Sequence, residues 1–176
     1  MVERHWETPI VIGSVDLKGI VREDWASASS PGGPAFERLA TGAVIADEER
    51  LRSVFQMSFN ELAQAQGRPP LAEVHLEIQV WRHGYDVAAA AHPAGLVGWC
   101  VLAAGPGQHP ESAAISFADP RAGSAMTAMP GLPWGRPILL NPVPGAHAAA
   151  PGWLIWSIVP VERGQHVIVA VASSAQ

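Results

Sequence analysis

The stretch Glu73-Val74-His75-Leu76-Glu77-Ile78-Gln79-Val80-Trp81-Arg82 decides how the chain folds. Val74, Leu76, Ile78 and Val80 fall at every second place, and Glu73, His75, Glu77, Gln79 and Trp81 stand between them. Successive side chains of a strand point to opposite faces, so a period of two marks a strand with one face on a core. The residues just before it keep a different rhythm. Over 47–66, Leu51, Val54, Phe55, Phe59 and Leu62 recur every three or four places, which sets them on one side of an α-helix. Asp47 is placed to cap that helix, and Glu48 and Glu49 suit its positive end. Gly67 suits the left-handed residue after its last turn, and Pro69-Pro70 prevent continuation.

Strand-like and turn-like segments alternate on either side of this pair. Residues 9–21 are rich in Ile and Val and read as a strand, with Gly13 as a place for a bulge. Residues 35–40, after Pro34, fit a short helix. Residues 87–91 are small and follow a turn at 82–86, so they are expected to pair back on 73–82 as a hairpin; 96–104 would complete a meander. Residues 153–161 and 165–172 are apolar on both faces and flank Glu162-Arg163-Gly164, which predicts a hairpin at the centre of the sheet. Between them and the meander, 105–151 holds more than half of the sixteen prolines and reads as a long ordered loop region with short strands at 113–117 and 138–140. The expected fold class is α+β: one domain over 1–176, a mainly antiparallel sheet of about six strands with a half-barrel curl, and the long amphipathic helix packed on it.

Composition narrows the function classes. Apolar residues make up 48% of the 176, enough for a core, while charged residues are only 15%, against a usual ~25%. The net charge is −5 and the arginines are scattered, which argues against nucleic-acid binding and against attraction to anionic membranes. A single cysteine, Cys100, excludes a CxxC zinc or redox pair and fits a reducing, cytoplasmic compartment. Charged residues at Glu3, Arg4 and Glu7 do not suit a signal peptide. The longest apolar run, 96–104, is half of what a bilayer span needs and reads as a buried strand.

The outward face of 73–82 is the best candidate site. His75 and Glu77 stand side by side on it, a base and a carboxylate able to act in proton transfer, with Glu73 and Trp81 as ligand contacts. The plain alternative is a solvated strand face. His-x-Glu also opens the zinc deaminase signature, but its Pro-Cys-x-x-Cys half is missing, so no metal site is assigned. Trp134 and Arg136, in a Pro-rich loop, are a second pair suited to ligand contact. Cys100 is expected to be buried and inert, and His83, His92 and His109 to be solvated in turns. No nucleophile elbow, dinucleotide fingerprint or Walker loop is present, and nothing points to a particular cofactor. Two function classes remain. One is a binding or assembly protein acting through an apolar, Trp-rich surface on a protein partner or a second copy of itself. The other is a small-molecule-binding enzyme, with a pocket between the sheet and the 105–151 loops that uses His75 and Glu77.

Overall fold

The change of period at residue 70 is a change from helix to strand. The computed structural model describes residues 8–25, 32–71, 73–121 and 135–175. In chain order these form β1 (Val11–Ser14), β2 (Phe36–Leu39), α1 (Thr41–Val44), α2 (Glu48–Ala65), β3 (Val74–Arg82), β4 (Val87–Ala90), β5 (Leu96–Ala104), β6 (Ile115–Phe117), β7 (Ile138–Leu140), β8 (Ala146–Pro151), β9 (Trp156–Ile158) and β10 (His166–Ser174). Asp47 caps α2 by accepting from the Arg50 N–H at 2.9 Å, and Gly67 takes the left-handed conformation after its end, with φ 66°. No helix among the described residues is long and apolar enough to cross a membrane.

The strands form two antiparallel sheets. One has six strands in the order β1-β8-β5-β10-β3-β2, and the other has four in the order β4-β9-β6-β7. The larger sheet carries α2 on one face and the smaller sheet on the other. On the helix side, the strand positions beneath α2 are small: Ala170 and Ala172 of β10, Gly98 and Cys100 of β5, Ala149 of β8. That leaves depth for Leu51, Phe55, Phe59 and Leu62, all at most 1% exposed. Phe55 lies so close that a Cβ on Gly98 would stand 2.9 Å from its ring. Burial also silences Cys100, whose thiol is pushed up to about 12.

The other face of the six-stranded sheet meets the smaller sheet through Trp81, Val97, Trp99, Val167 and Val169, opposed by Ile115, Phe117, Leu140 and Ile158. One polar group is sealed on the helix side. His147 Nδ1 lies 3.0 Å from the Trp99 carbonyl, and since a carbonyl only accepts, Nδ1 carries the proton and Nε2 accepts from the Ser58 hydroxyl at 2.8 Å. Burial pushes the His147 imidazole below its ordinary value, with the Trp99 contact opposing.

Several expectations require correction. Residues 36–39 are strand β2, not helix, because they complete the edge of the sheet beside β3; the short helix α1 follows instead. Strand β1 ends at Ser14 and passes Gly13 without a register shift. β4 does not pair with β3: it lies in the other sheet beside β9, so there is no meander over 73–104. Residues 156–158 and 166–174 are not a hairpin, since β9 and β10 belong to different sheets. The described strands number ten in two sheets rather than about six in one. β8, within the expected loop region, was not anticipated as a strand; its Ala-rich sequence suits a site beneath both helix and sheet.

Two outcomes follow. Gly98→Ala pushes a methyl into Phe55 and should lose about 1–3 kcal/mol in urea unfolding, and the loss should shrink when Phe55→Leu is added, since touching residues are non-additive. Because folded His147 resists a proton that the unfolded chain accepts, stability should be full above the ordinary histidine pKa of ~6.5 and fall as pH drops below it. His92 and His166 are shifted the same way by burial. Unfolding midpoints at successive pH values check this, and His147→Gln should flatten the slope.

Candidate functional site

Beyond its contact with the small sheet, the large sheet leaves a cavity of about 250 Å³ between the two. Strand register explains its walls. Glu77 of β3 pairs with Val171 of β10, which pairs with Trp99 of β5; one row outward, His75 pairs with Ser173 and Ser173 with Val97. In the adjacent rows β2 sets Phe36 opposite Trp81 and Arg38 opposite Gln79. The small sheet contributes Trp156 and Ile158, and His92 enters from the turn after β4. Between its paired positions β4 carries one residue more than β9, with Val87 opposite Ile158 and Ala90 opposite Trp156. An extra residue of this kind re-aims the side chains that follow it.

The cavity has an aromatic lining. Phe36 stacks on Tyr85 with centroids 5.1 Å apart, Tyr85 lies 5.7 Å from Trp81, and Trp99 meets Trp156 edge-on at 5.3 Å. A polar chain runs along one side. The Trp81 indole donates to Gln79 Oε1 at 3.0 Å, Gln79 Nε2 donates to Glu77 Oε2 at 3.2 Å, and Arg38 Nε donates to the same oxygen at 3.1 Å. The Arg38 guanidinium also lies 5.4 Å from the centre of the Phe36 ring. With side chains 66% and 49% exposed, this ion pair contributes at most ~1 kcal/mol and serves orientation more than stability. The Trp156 indole N–H is buried with no partner among the described residues.

His92 is held at two points. Its N–H donates to the Gly152 carbonyl at 2.8 Å, and its Nδ1 accepts from the Ala94 N–H at 3.1 Å, so the ring proton sits on Nε2. Burial pushes its imidazole below the ordinary value, and the charge of Glu77 pulls part of that shift back. Burial likewise raises the Tyr85 phenol, opposed by Arg38. A neutral imidazole thus stands within electrostatic reach of a carboxylate beside five aromatic rings.

The structure gathers only part of the expected set. Glu77 and Trp81 line the cavity, and Trp81 is buried, not presented on an open polar face. His75 and Glu73 are exposed and do not line it. Trp134 lies outside the described residues. Arg136 is exposed on a separate concavity with Asp119, Arg121 and Ile138, where the Arg121 guanidinium holds the Asp119 carboxyl well below the usual range. The cavity lies between the sheets, not between a sheet and the 105–151 loops. His92, Arg38, Tyr85, Val171 and Ser173 come to it through pairings that no local pattern reveals. His109 is solvated as expected, 78% exposed, and pairs with Glu162 at 3.0 Å.

No family model matches this sequence, and no curated protein matches it either. Solved structures do resemble it. A prolyl-4-hydroxylase from Pseudomonas putida superposes with a TM-score of 0.55 at 11% identity, over 80% of this chain and 71% of that one. SnoN, a non-heme α-ketoglutarate-dependent epimerase from nogalamycin biosynthesis, gives 0.53 at 13% identity over 96% and 78%. The same epimerase with Fe3+, α-ketoglutarate and nogalamycin RO gives 0.52 at 15% identity over 96% and 80%. At these identities the likeness shows the fold, a jelly roll of two antiparallel sheets. Iron of this kind is held by two imidazoles and one carboxylate. The residues of this cavity do not fit it: they include one imidazole and one carboxylate, and no group of three metal-ligating side chains occurs among the described residues.

The electrostatic link across the cavity can be measured. Glu77→Gln removes the charge that raises His92, so the His92 midpoint in an NMR titration should move further down; an unchanged or higher midpoint would separate the two side chains.

Proposed function

We propose that this chain binds a small organic molecule with a flat, apolar body in the cavity between its two sheets, and that His92 and Glu77 make its polar contacts. The observation that carries this is the convergence of Phe36, Trp81, Tyr85, Trp99 and Trp156 on one concave space, with the ionisable pair at its side. Ligand sites are typically concave, largely apolar and fitted with a few polar groups that fix orientation. At about 250 Å³ the space is below the usual ~300–1,000 Å³, which favours a ligand of one or two rings. Support also comes from the fold, since the epimerase it resembles was crystallised with α-ketoglutarate and nogalamycin RO.

In this reading Trp81 keeps the ligand-contact role expected of it, Glu77 keeps its place as the carboxylate of the proton-transfer pair, and His92 takes the role first given to His75. A neutral imidazole with its proton on Nε2, near a carboxylate, is equipped to move a proton to or from a bound carbonyl or hydroxyl group. The assembly reading rests on Trp153 and Ile155, 57% and 39% exposed in the loop between β8 and β9. The other exposed large apolar residues among those described fall on separate segments, Ile12 in β1, Met57 in α2, Ile138 in β7 and Val143 in the loop after it, so they add less than the cavity does.

A screen of one- and two-ring aromatic acids, amines and ketones, read by tryptophan fluorescence and melting temperature, tests the proposal. At least one class should quench saturably and raise the melting temperature. Val171→Phe, which fills the cavity floor, should weaken it by about tenfold or more; Ser173→Phe serves if that variant does not fold. Equal binding by wild-type and filled proteins would overturn the assignment.

A further inference from the structure

We infer that this jelly-roll cavity takes its ligand without a metal ion, although the folds it resembles are those of iron-dependent enzymes. The inference goes beyond the ligand-binding reading and rests on it only for the chelator arm of the test below.

A ferrous centre of the facial type needs three converging donors, two neutral imidazoles and a carboxylate. Three strands that wall this space offer mostly carbon where a donor is needed. On β10 the inward positions Val167, Val169 and Val171 are apolar, and Ser173 is the one polar residue. On β5 they are Val97, Trp99 and Val101. Trp156 of β9 stands opposite the end of β4, where His92 enters, and an indole N–H donates but does not ligate.

The two donors that are present are already engaged. One oxygen of Glu77 accepts from both Arg38 and Gln79, and the Arg38 charge cancels its own. The cavity therefore presents no net negative charge to a dication, whose hydration would have to be replaced by protein ligands. His92 Nδ1 is occupied by the Ala94 N–H, and Nε2 holds the proton, which a metal would have to displace. The remaining histidines among the described residues do not supply the second imidazole. His75 is exposed and does not line the cavity, His83 contacts the Val161 carbonyl, His109 pairs with Glu162, His147 is sealed beneath α2, and His166, whose ring lies beside Trp25 and Gly105, does not line the cavity either. What the site offers instead is ring faces, the His92 Nε2–H as donor and the second Glu77 oxygen as acceptor. These suit a closed-shell organic ligand, held by stacking and hydrogen bonds.

The test uses the whole chain. Purified protein is incubated without oxygen with Fe(II), and separately with Co(II), Ni(II) and Zn(II), then desalted, and retained metal is counted by mass spectrometry. Quenching of tryptophan emission by Co(II) is followed in parallel, because Trp99 and Trp156 border the cavity. The expected result is far less than one metal per chain, with no quenching beyond that of His92→Gln. Metal retained equally by wild type, His92→Gln and Glu77→Gln sits elsewhere and supports the inference. About one metal per chain, lost in either variant, would overturn it. Affinity for any aromatic probe found in the screen should be the same with EDTA present, and a tenfold loss would also overturn the inference. If no probe binds, the ligand-binding reading fails while the metal count still decides this one.

Discussion

Strand β10 is hydrogen-bonded to β3 on one edge and β5 on the other, and both of its faces are covered. Over Val167–Ala170 it is buried on both faces, so its residues there must satisfy two surfaces at once. They do so by size. Of the residues on the helix side, Ala170 and Ala172 leave shallow ground for its phenylalanines, while Ile168 fills the same side nearer the start of the strand. Val167, Val169 and Val171 face the small sheet, whose three-residue strands bring less bulk. Exchanging the two sets would overpack one side and leave voids on the other, and either error costs kilocalories in a close-packed core. Gly98 carries the same logic to its limit, as the neighbour on β5 that yields its whole side chain to Phe55.

A mismatch in strand length then makes the cavity. β3, β5 and β10 run nine residues each, about 30 Å of extended chain, while β6, β7 and β9 run three, about 10 Å. The short sheet covers the rows near Trp81, Val167 and Val169. It still covers Trp99 through Phe117 and Trp156, but it leaves Glu77 and Val171 in the same row, and Ser173 in the next, partly open. A sheet face at that position is neither core nor open surface. Aromatic rings suit it because they fill width without needing a partner on every side. The polar groups there chain to one another, Trp81 to Gln79 to Glu77 to Arg38, so that few are left bare.

Local pattern made the helix and the long strands legible. The three-to-four spacing of Leu51, Phe55, Phe59 and Leu62, with Asp47 before and Gly67 after, identified α2 to within a residue. The alternation over 73–82 identified β3 and placed Glu77 and Trp81 on one face. Pairing was not legible. Residues 87–91 follow 73–82 after a short turn and look like its hairpin partner, yet long-range burial takes them to the other sheet; the turn at 162–164 misleads in the same way. The site suffered most, because it is made of pairings. His92 reads as a turn residue next to Pro93, and Arg38 as part of a helix that is really an edge strand. Each gains meaning only when β4 lies beside β9 and β2 beside β3. His75 was chosen for its neighbour Glu77, but its row reaches the cavity only through Ser173 and Val97, and its own side chain stands exposed outside.

Sharing a scaffold with iron enzymes therefore says less than the side chains that line it, since a fold is a frame on which unrelated chemistries are mounted. Holding a cation in such a frame demands donors from several strands aimed at one point, with charge left over to replace lost water. Here the strands that face the space supply valine and tryptophan, and the one carboxylate is spent on an arginine. Both features favour a neutral, flat occupant. Burial holds the half-buried His92 imidazole below its ordinary value and Glu77 reverses only part of that shift, so the uncharged form is favoured there. Charge neutrality is thus met twice, by the Arg38–Glu77 pair and by His92, and it leaves a cavity of aromatic walls and polar edges suited to an uncharged organic ligand.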